Sequence, residues 1–406
     1  MAYTKLPTIK NSAYRPLLDI TQLTKIRDRL ANTPILQQRL AKALSTFTTS
    51  DAVKLRRKDP HYRTEPPPYS VIKTQRDGKT FMFMIAPLRL GPAGMFGVAK
   101  VGLLITKIDD VHFNINFSTP YALKIIRRVT PHIPQDFAAS SAFECIKTYY
   151  APRDPEASIV SVAERTGSGV SLGFRKIYIA TPIATGIPLS TFINENPKLS
   201  LYKRLQIALA IANNIERLHT HRFVHRDLRT NHVIIYCEGK AMQVSFVDFD
   251  GAKHHEEKDS FQGGSYGYFS TRRLQKPYSA HTDDDIHAFG IIFIDILGCL
   301  HPTFCNPKVT HVNIYEYFKE QLLILVPLTS DFRKGLVGHI KQLVRYIITR
   351  TYGHKHHICD ITAVITKLGD IIRLLDSFPS QLSEYIRPDQ TWPSVEKTPS
   401  LDNLII

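Results

Sequence analysis

The feature that most constrains this chain is a long helical pattern, followed by a polar loop and a pair of short strands. Residues 199–221 repeat apolar side chains at three- and four-residue spacing, which predicts one long helix. The loop "VHRDLRTNHVII" follows it and includes the first of two short strands, Val233–Tyr236 and Gln243–Val247, which are joined by a turn at Gly239. A polar loop between a buried helix and a hairpin is a scaffold on which charged side chains can be positioned.

The order of the other patterns predicts an α+β chain of two lobes. Leu23, Ile26 and Leu30 have helical spacing, and Pro34 suits the first turn of a second helix. Strand patterns follow, and helices dominate from about residue 136. The predicted divisions are a helical N-terminal extension and linker at 1–69, a strand-rich lobe at 70–187, a helical lobe at 188–375 and a loosely ordered tail at 376–406.

Composition indicates a soluble chain in a reducing compartment. Hydrophobic residues make up 43% and charged residues 22%, as in globular proteins. The sequence has no apolar run of about 18 residues, so we expect no membrane span, and the N-terminus has no apolar signal-peptide core. Five scattered cysteines without a CxxC pair argue against a disulfide framework or structural zinc. We therefore expect a cytosolic protein.

The net charge of +16 predicts attraction to polyanions such as nucleotides, inositol phosphates, anionic lipid or nucleic acid. The basic residues form small clusters rather than one tail. An inositol polyphosphate bound as an activator is one form that this attraction could take.

A glycine-containing turn, "LGPAGMFGVAKV", lies between two strand patterns. Closely spaced glycines let a backbone fold tightly over phosphates, where a Cβ would obstruct. Gly94, Phe96 and Gly97 are the candidates here. An ordinary hairpin turn is the alternative.

Two further segments carry charge at the ends or edges of apolar strands. "PYALKII" places Lys124 among apolar neighbours, and Glu144 follows on a predicted helix. "VSFVDFDGAKH" places Asp248 directly after a strand, with Asp250 two residues later.

In this order, the segments resemble the signature set of the protein kinase family over roughly residues 75–370. The resemblance implies a bilobal kinase-like fold that binds ATP with Mg or Mn. It implies that Asp227, in the motif His225-Arg226-Asp227, orients the substrate hydroxyl or accepts its proton, and that Arg226 belongs to the catalytic loop.

The resemblance also implies the cofactor-binding roles. Gly94, Phe96 and Gly97 would cover the nucleotide, and Lys124, paired with Glu144, would hold its phosphates. Asp248 would bind the metal, and Asp250, which replaces a glycine of the family pattern, would add charge near it.

Two downstream positions complete the resemblance. Asp285 occupies the position that bonds to the catalytic-loop backbone. Arg272 stands where the family usually has glutamate, and we expect Asp360 as its acidic partner.

The position of the second metal ligand departs from the family pattern. His232 aligns with the asparagine that binds metal, and Asn231 precedes it. Either Asn231 reaches the metal, or His232 ligates through a neutral imidazole, which favours manganese over magnesium. A third alternative is a spoiled metal site.

These features predict an ATP-dependent protein kinase acting on serine or threonine hydroxyls. The alternatives are a pseudokinase or scaffold that binds nucleotide or polyanion without turnover, and a kinase-like enzyme that acts on a small molecule or transfers AMP. The divergence, together with the N-terminal helices, is similar to effector kinases of intracellular bacteria, and that similarity implies secretion into a host cytoplasm.

Overall fold

The computed structural model describes most of the chain in separate stretches. They are residues 18, 20–45, 53–54, 70–76, 79–90, 97–126, 141–150, 177–259, 265–274, 278–300, 311–326, 330–352, 359–377, 392–393, 401–402 and 404–405.

The helices and strands of the described residues are as follows in chain order. The helices are α1 Ile20–Ala31, α2 Pro34–Ser45, α3 Ser141–Tyr150, α4 Leu189–Glu195, α5 Leu201–Thr220, α6 Thr282–Ile296, α7 His311–Leu325, α8 Asp331–Tyr352 and α9 Ile361–Asp376. The strands are β1 Val53–Lys54, β2 Ser70–Arg76, β3 Lys79–Arg89, β4 Gly97–Lys107, β5 Phe113–Ile115, β6 Tyr121–Ile126, β7 Ile177–Pro182, β8 Ile187–Pro188, β9 Phe223–Val224, β10 Val233–Glu238, β11 Ala241–Phe246, β12 Lys253–His254, β13 Lys258–Asp259, β14 Tyr278–Ser279 and β15 Leu404–Ile405.

The chain divides into two compact units. The first comprises Met1–Ala138, Tyr150–Thr185 and Lys397–Ile406, and the second comprises Ala139–Tyr149 and Gly186–Glu396. The strands of the large sheet belong to the first unit, and α3 to α9 belong almost wholly to the second. This is the α+β composition that the sequence predicted. The four domain boundaries drawn from the sequence stay a prediction.

The first unit is built on an antiparallel sheet in the order β1-β2-β3-β4-β5-β15, with β6 paired to both β4 and β7. Side chains alternate between the faces of a strand, so β3 contributes to two cores. Met82 and Met84 lie in the core that α1 and α2 cover. Phe83 lies in the other core, where its ring meets that of Tyr121 edge-on at 5.4 Å.

Helix α1 confirms the helical spacing read from residues 20–31. Leu23, Ile26 and Leu30 are all buried, and they belong to the same core as Met82 of β3. The N-terminal helices therefore pack on the sheet of the first unit rather than forming a separate core.

The second unit is built around α5 and α6. Helix α5 is the long helix predicted at 199–221, and the hydroxyl of Ser200 caps it by accepting from the backbone N–H of Lys203 at 3.3 Å. Helix α6 is buried on nearly every side, α9 packs against α5, and α8 packs against α6. Among the described residues, no helix has both the length and the apolar character that a membrane crossing requires.

The hairpin of β10 and β11 follows α5, as predicted, with Val233 opposite Phe246. The other edge of β10 pairs with β8, where Ile235 lies opposite Ile187. This places the polar loop between α5 and β10 at one end of a short three-stranded sheet.

The predicted loose tail at 376–406 contains ordered parts. Leu404 pairs with Ile115, so that β15 extends the sheet of the first unit. In the second unit, the backbone N–H of Trp392 donates to the carbonyl of Gly239 at 3.1 Å, and the Lys203 ammonium lies 4.8 Å from the Trp392 ring centroid. The prolines of this region predict loose order, which stays a prediction. Strand pairing and ring contacts with residues distant in the sequence are not visible in local composition.

We expect Gly186→Ala to destabilise the second unit strongly. Gly186 has φ +118°, and an added Cβ would lie 2.2 Å from the backbone oxygen of Ile235. Gly239 is a matched control, because its φ is +58° and a Cβ there meets nothing within 4 Å. Gly239→Ala should cost about 1–2 kcal/mol in the free energy of unfolding, and Gly186→Ala more than about 3 kcal/mol. Urea denaturation measures both, and equal losses would contradict the predicted clash.

Candidate active site

The loop that carries the expected catalytic residues is held by the carboxylate of Asp285, in the first turn of α6. The backbone N–H of His225 donates to Oδ2 at 2.8 Å, and the backbone N–H of Arg226 donates to Oδ1 at 2.7 Å. The Nε2 of His219 on α5 lies 3.2 Å from Oδ2. The sequence predicted the bond between Asp285 and the loop backbone, and the structure confirms it.

The Asp285 side chain is fully buried and ionised. Burial raises its pKa, but the hydrogen bond and charge of His219, together with the charge of His225 and the backbone N–H of Arg226, outweigh burial and hold the pKa below its usual value. Its place at the N-terminus of α6 also favours a negative charge.

Arg226 ties the loop to the segment after Asp248. Its backbone is left-handed, with φ 69°, a conformation that costs a residue with a Cβ about 1–2 kcal/mol. Its Nη1 donates to the carbonyl of Gly251 at 3.0 Å, and its guanidinium lies 5.3 Å from the centroid of the Tyr278 ring. The buried Arg273 donates through Nη1 to the carbonyl of Arg226.

The prediction that Asp360 is the partner of Arg272 is wrong. The Nη1 of Arg272 lies 3.8 Å from Oδ2 of Asp283 at the start of α6. Asp360 instead caps α9 by accepting from the backbone N–H of Thr362 at 3.0 Å. The positive charge of Arg272 predicted an acidic partner, but the sequence did not show that the Asp360 carboxylate caps a helix.

Three candidate residues converge within the second unit. Ligand atoms of Asp227, His232 and Asp248 all lie within 4.8 Å of one another. The Nε2 of His232 is 3.3 Å from Oδ2 of Asp248, and its Nδ1 is 3.6 Å from Oδ2 of Asp227. The backbone N–H of Val247 donates to the carbonyl of His232 at 3.0 Å, which continues the β10–β11 pairing and brings Asp248 beside the histidine.

Hydrogen bonds define the tautomer of His232. Its Nδ1 lies 2.7 Å from the backbone carbonyl of Asp227, which can only accept, so Nδ1 carries the proton. The Nε of Arg229 donates to Nε2 at 2.9 Å, so Nε2 presents a lone pair. Burial lowers the pKa of His232, and its ring is therefore neutral near neutral pH.

The other two metal-ligand candidates are Asn231 and Asp250, whose role as ligands stays a prediction. Asn231 is exposed, and its Oδ1 accepts a hydrogen bond from the hydroxyl of Ser190 on α4. Asp250 is half-buried in the turn Phe249–Gly251. Among the described acidic and histidine side chains, the group with metal-ligand spacing consists of Asp227, His232 and Asp248.

The carboxylate of Asp227 is also held from a third segment. The backbone N–H of Ser265 donates to its Oδ1 at 3.0 Å. The Asp227 side chain is 21% exposed, so it lies at the surface of the loop, where an incoming group can reach it. The orientation of the Asp227 carboxylate is therefore set by a backbone N–H group rather than by another side chain, which would be more mobile.

Helix α3 is tied to β12 and the turn that follows it. The Nε2 of His254 lies 2.9 Å from the Glu144 carboxylate, and Ser141 donates a hydrogen bond to Glu257. Glu257 also pairs with Lys253. Lys124 belongs to the first unit and Glu144 to the second, so the pairing of these two residues stays a prediction.

The first unit contains the remaining candidates. Lys124 is half-buried on β6, between Ala99 of β4 and Ile179 of β7. Gly97 begins β4. Gly94 and Phe96 lie outside the described residues.

The cluster fits a hard divalent cation. Two carboxylates and one imidazole lone pair form a donor set that suits Mg²⁺ or Mn²⁺, and the nitrogen donor shifts the preference toward Mn²⁺. His232 and Asp248 are the residues that would hold the ion, and Asp227 belongs to the same group of side chains.

Sequence reasoning gave no role in this region to three residues: Arg229, Arg273 and His254. Arg229 lies inside the quoted loop motif, and a basic side chain three residues before a histidine was the available signal. The partners of Arg273 and His254 are far away in the sequence, so no local pattern indicates them.

Comparisons with known proteins relate this chain to protein kinases. The family model described as "Protein kinase domain" matches residues 148–357. The probable serine/threonine-protein kinase PknB of Lactococcus lactis is 30% identical over 195 residues, which is 47% of this chain and 30% of that protein. A serine/threonine-protein kinase-like protein of Arabidopsis thaliana is 26% identical over 26% of this chain and 31% of its own length. The Arabidopsis serine/threonine/tyrosine-protein kinase HT1 is 29% identical over 28% of this chain and 29% of its own length.

The chain thus spans about 30% of the length of these curated relatives. The activities of those whole proteins therefore do not transfer directly to this chain.

We expect Asp285→Asn to destabilise the second unit by about 3 kcal/mol at neutral pH, because an amide cannot accept from both backbone N–H groups. The folded pKa of Asp285 lies below its unfolded value, so its contribution is present above about pH 4 and is lost as the pH falls through the folded pKa. The stability difference between wild type and variant should therefore shrink in acid. Urea denaturation at several pH values tests this, with the exposed Asp331→Asn as control. A difference independent of pH would contradict the ionised carboxylate.

Proposed function

Because the chain belongs to the protein kinase family, we propose that it transfers the γ-phosphate of ATP to a serine or threonine hydroxyl of a protein. The observation that carries this proposal is the convergence of Asp227, His232 and Asp248 at the end of the β10–β11 hairpin. The relatives named as serine/threonine kinases support the acceptor class.

Asp227 is the residue that would orient the hydroxyl and accept its proton. Its Oδ1 is held by the backbone N–H of Ser265, and its backbone carbonyl is bonded to His232. A carboxylate held in this way needs no rearrangement to receive a proton, and positioning is the main protein contribution to phosphoryl transfer.

His232 and Asp248 would hold the cation, with Asp227 beside them to receive the proton. A divalent ion supplies charge neutralisation on the phosphate oxygens of ATP. Asp248 is suited to this role because its left-handed backbone, φ 68°, turns the residue out of the preceding strand, and its side chain remains 35% exposed.

The relatives do not decide between an active kinase and a pseudokinase or scaffold. One observation favours the second. Glu144, the residue expected to pair with the nucleotide-binding Lys124, contacts His254. A scaffold would show thermal stabilisation by ATP without phosphate transfer. Action on a small molecule and transfer of AMP are further alternatives.

Regulation by an inositol polyphosphate or another polyanion, and secretion into a host cytoplasm as a bacterial effector, stay predictions. The first rests on the net charge of +16 alone.

We expect Asp227→Asn and Asp248→Asn each to lower phosphate transfer by at least about hundredfold, because each removes a charge that the transition state requires. The assay uses ATP labelled at the γ-position, with Mg²⁺ and Mn²⁺ separately, followed by phosphoamino acid analysis. ATP labelled at the α-position serves as a parallel reaction, because only AMP transfer incorporates that label.

The exposed Asp110→Asn is the charge-matched control for these variants. Activity equal to wild type in both site variants would contradict the proposed function. Label on tyrosine alone would contradict the acceptor class.

We expect the wild type to prefer Mn²⁺ and His232→Asn to shift the ratio of Mn²⁺-supported to Mg²⁺-supported activity toward Mg²⁺ by about tenfold, because an amide oxygen is a harder ligand than imidazole. The ratio is measured within each protein, so a general loss of activity cancels. An unchanged ratio would show that His232 does not ligate the ion.

A further inference from the structure

We propose that Arg229 is an internal competitor for the metal site: its side chain uses the same lone pair of His232 that a divalent cation requires. This inference rests on the proposed metal-binding role of His232 and Asp248, and it adds a residue that limits metal affinity.

The first step is the single lone pair. The Nδ1 of His232 donates to the carbonyl of Asp227 at 2.7 Å, so a neutral ring presents one acceptor, Nε2. No second acceptor exists on an imidazole in this tautomer. Whatever binds His232 from the side of Asp248 must use Nε2.

The second step is the donor that uses this nitrogen. The Nε of Arg229 lies 2.9 Å from Nε2 of His232, within ordinary hydrogen-bonding distance. A guanidinium does not lose its proton in a protein, so Arg229 is always the donor of this bond. A hydrogen bond and a metal bond to one nitrogen lone pair exclude each other.

The third step is electrostatic. Oδ2 of Asp248 lies 3.3 Å from the same Nε2, so the nitrogen that accepts from Arg229 also lies beside a carboxylate. Arg229 is half-buried, and water screens its charge incompletely. The guanidinium therefore offsets the negative charge that would attract a cation, in addition to using the lone pair.

The same bond also orients the ring. With Nδ1 on the Asp227 carbonyl and Nε2 on Arg229, the imidazole is held at both nitrogens. Arg229 is therefore a positioning residue that keeps His232 in the ligand orientation while weakening the affinity for the ligand. A metal that binds must displace the guanidinium from Nε2.

The test is Mn²⁺ binding to the full chain without nucleotide, followed by electron paramagnetic resonance of the free ion. Arg229→Met keeps the apolar length and removes both the charge and the donor, and it should bind Mn²⁺ about tenfold more tightly than wild type. Arg229→Lys keeps the charge without the planar Nε donor, and its affinity should lie between the two. Arg373→Met, at an arginine whose side chain is 71% exposed, controls for the change of one unit in net charge.

Asp248→Asn separates failure of this inference from failure of the proposed function. If Asp248→Asn weakens Mn²⁺ binding and Arg229→Met leaves it unchanged or weaker, the metal site stands and the competition is overturned. If Asp248→Asn has no effect on Mn²⁺ binding, the proposed metal site itself is wrong.

A second measurement needs no variant. In wild-type protein labelled with ¹⁵N at arginine and histidine, titration with diamagnetic Mg²⁺ should shift the Nε2 signal of His232 and the Nε–H signal of Arg229 together, because one bond replaces the other. The Nδ1–H signal of His232 should persist. A shift of the Nε2 signal while the Arg229 Nε–H signal stays constant would overturn the competition.

Discussion

The bond between the Asp285 carboxylate and the backbone N–H groups of His225 and Arg226 is the interaction on which the site depends. Asp285 belongs to α6, a helix that is buried on nearly every side, and α6 packs against both α5 and α8. A loop whose backbone is hydrogen-bonded to such a helix is held rigidly by it. This is why a short polar loop can hold Asp227 in place although the loop itself has little apolar surface to bury.

A second set of contacts relates this loop to the residues around Asp248. The Nε2 of His225 lies 3.1 Å from the carbonyl of Val247, and Arg226 reaches the carbonyl of Gly251. Both arginines of this network, Arg226 and Arg273, are buried and donate to backbone carbonyls rather than to solvent. Breaking one of these bonds would leave a buried charge with fewer acceptors, which costs more than the bond contributes when intact. The segments that carry the two aspartates are thus coupled.

The surroundings of His232 in the structure change how this histidine is interpreted. In the sequence it is a departure from the family pattern, and three interpretations were open: a spoiled metal site, ligation by His232, and ligation by Asn231. Its surroundings favour the second: the ring is buried and neutral, one nitrogen is bonded to the backbone, and the other faces Asp248. If His232 ligates the ion as proposed, its hydrogen bond with Arg229 places a competing cation at the same nitrogen.

The amino-acid sequence by itself determined the α+β composition, the long helix α5, the hairpin that follows it and the bond expected of Asp285. The first three features follow from periodicity and from spacing within one continuous segment, whereas the bond of Asp285 was expected from the resemblance to the protein kinase family. The proximity of His232 and Asp248 also follows from the hairpin, because Val233 pairs with Phe246 across a short turn. Only the tertiary structure decided that Arg272 meets Asp283 rather than Asp360, that Glu144 contacts His254, and that Leu404 pairs with Ile115. Each of these contacts joins distant segments, and its partner is chosen by how helices and strands pack, which local sequence patterns do not encode.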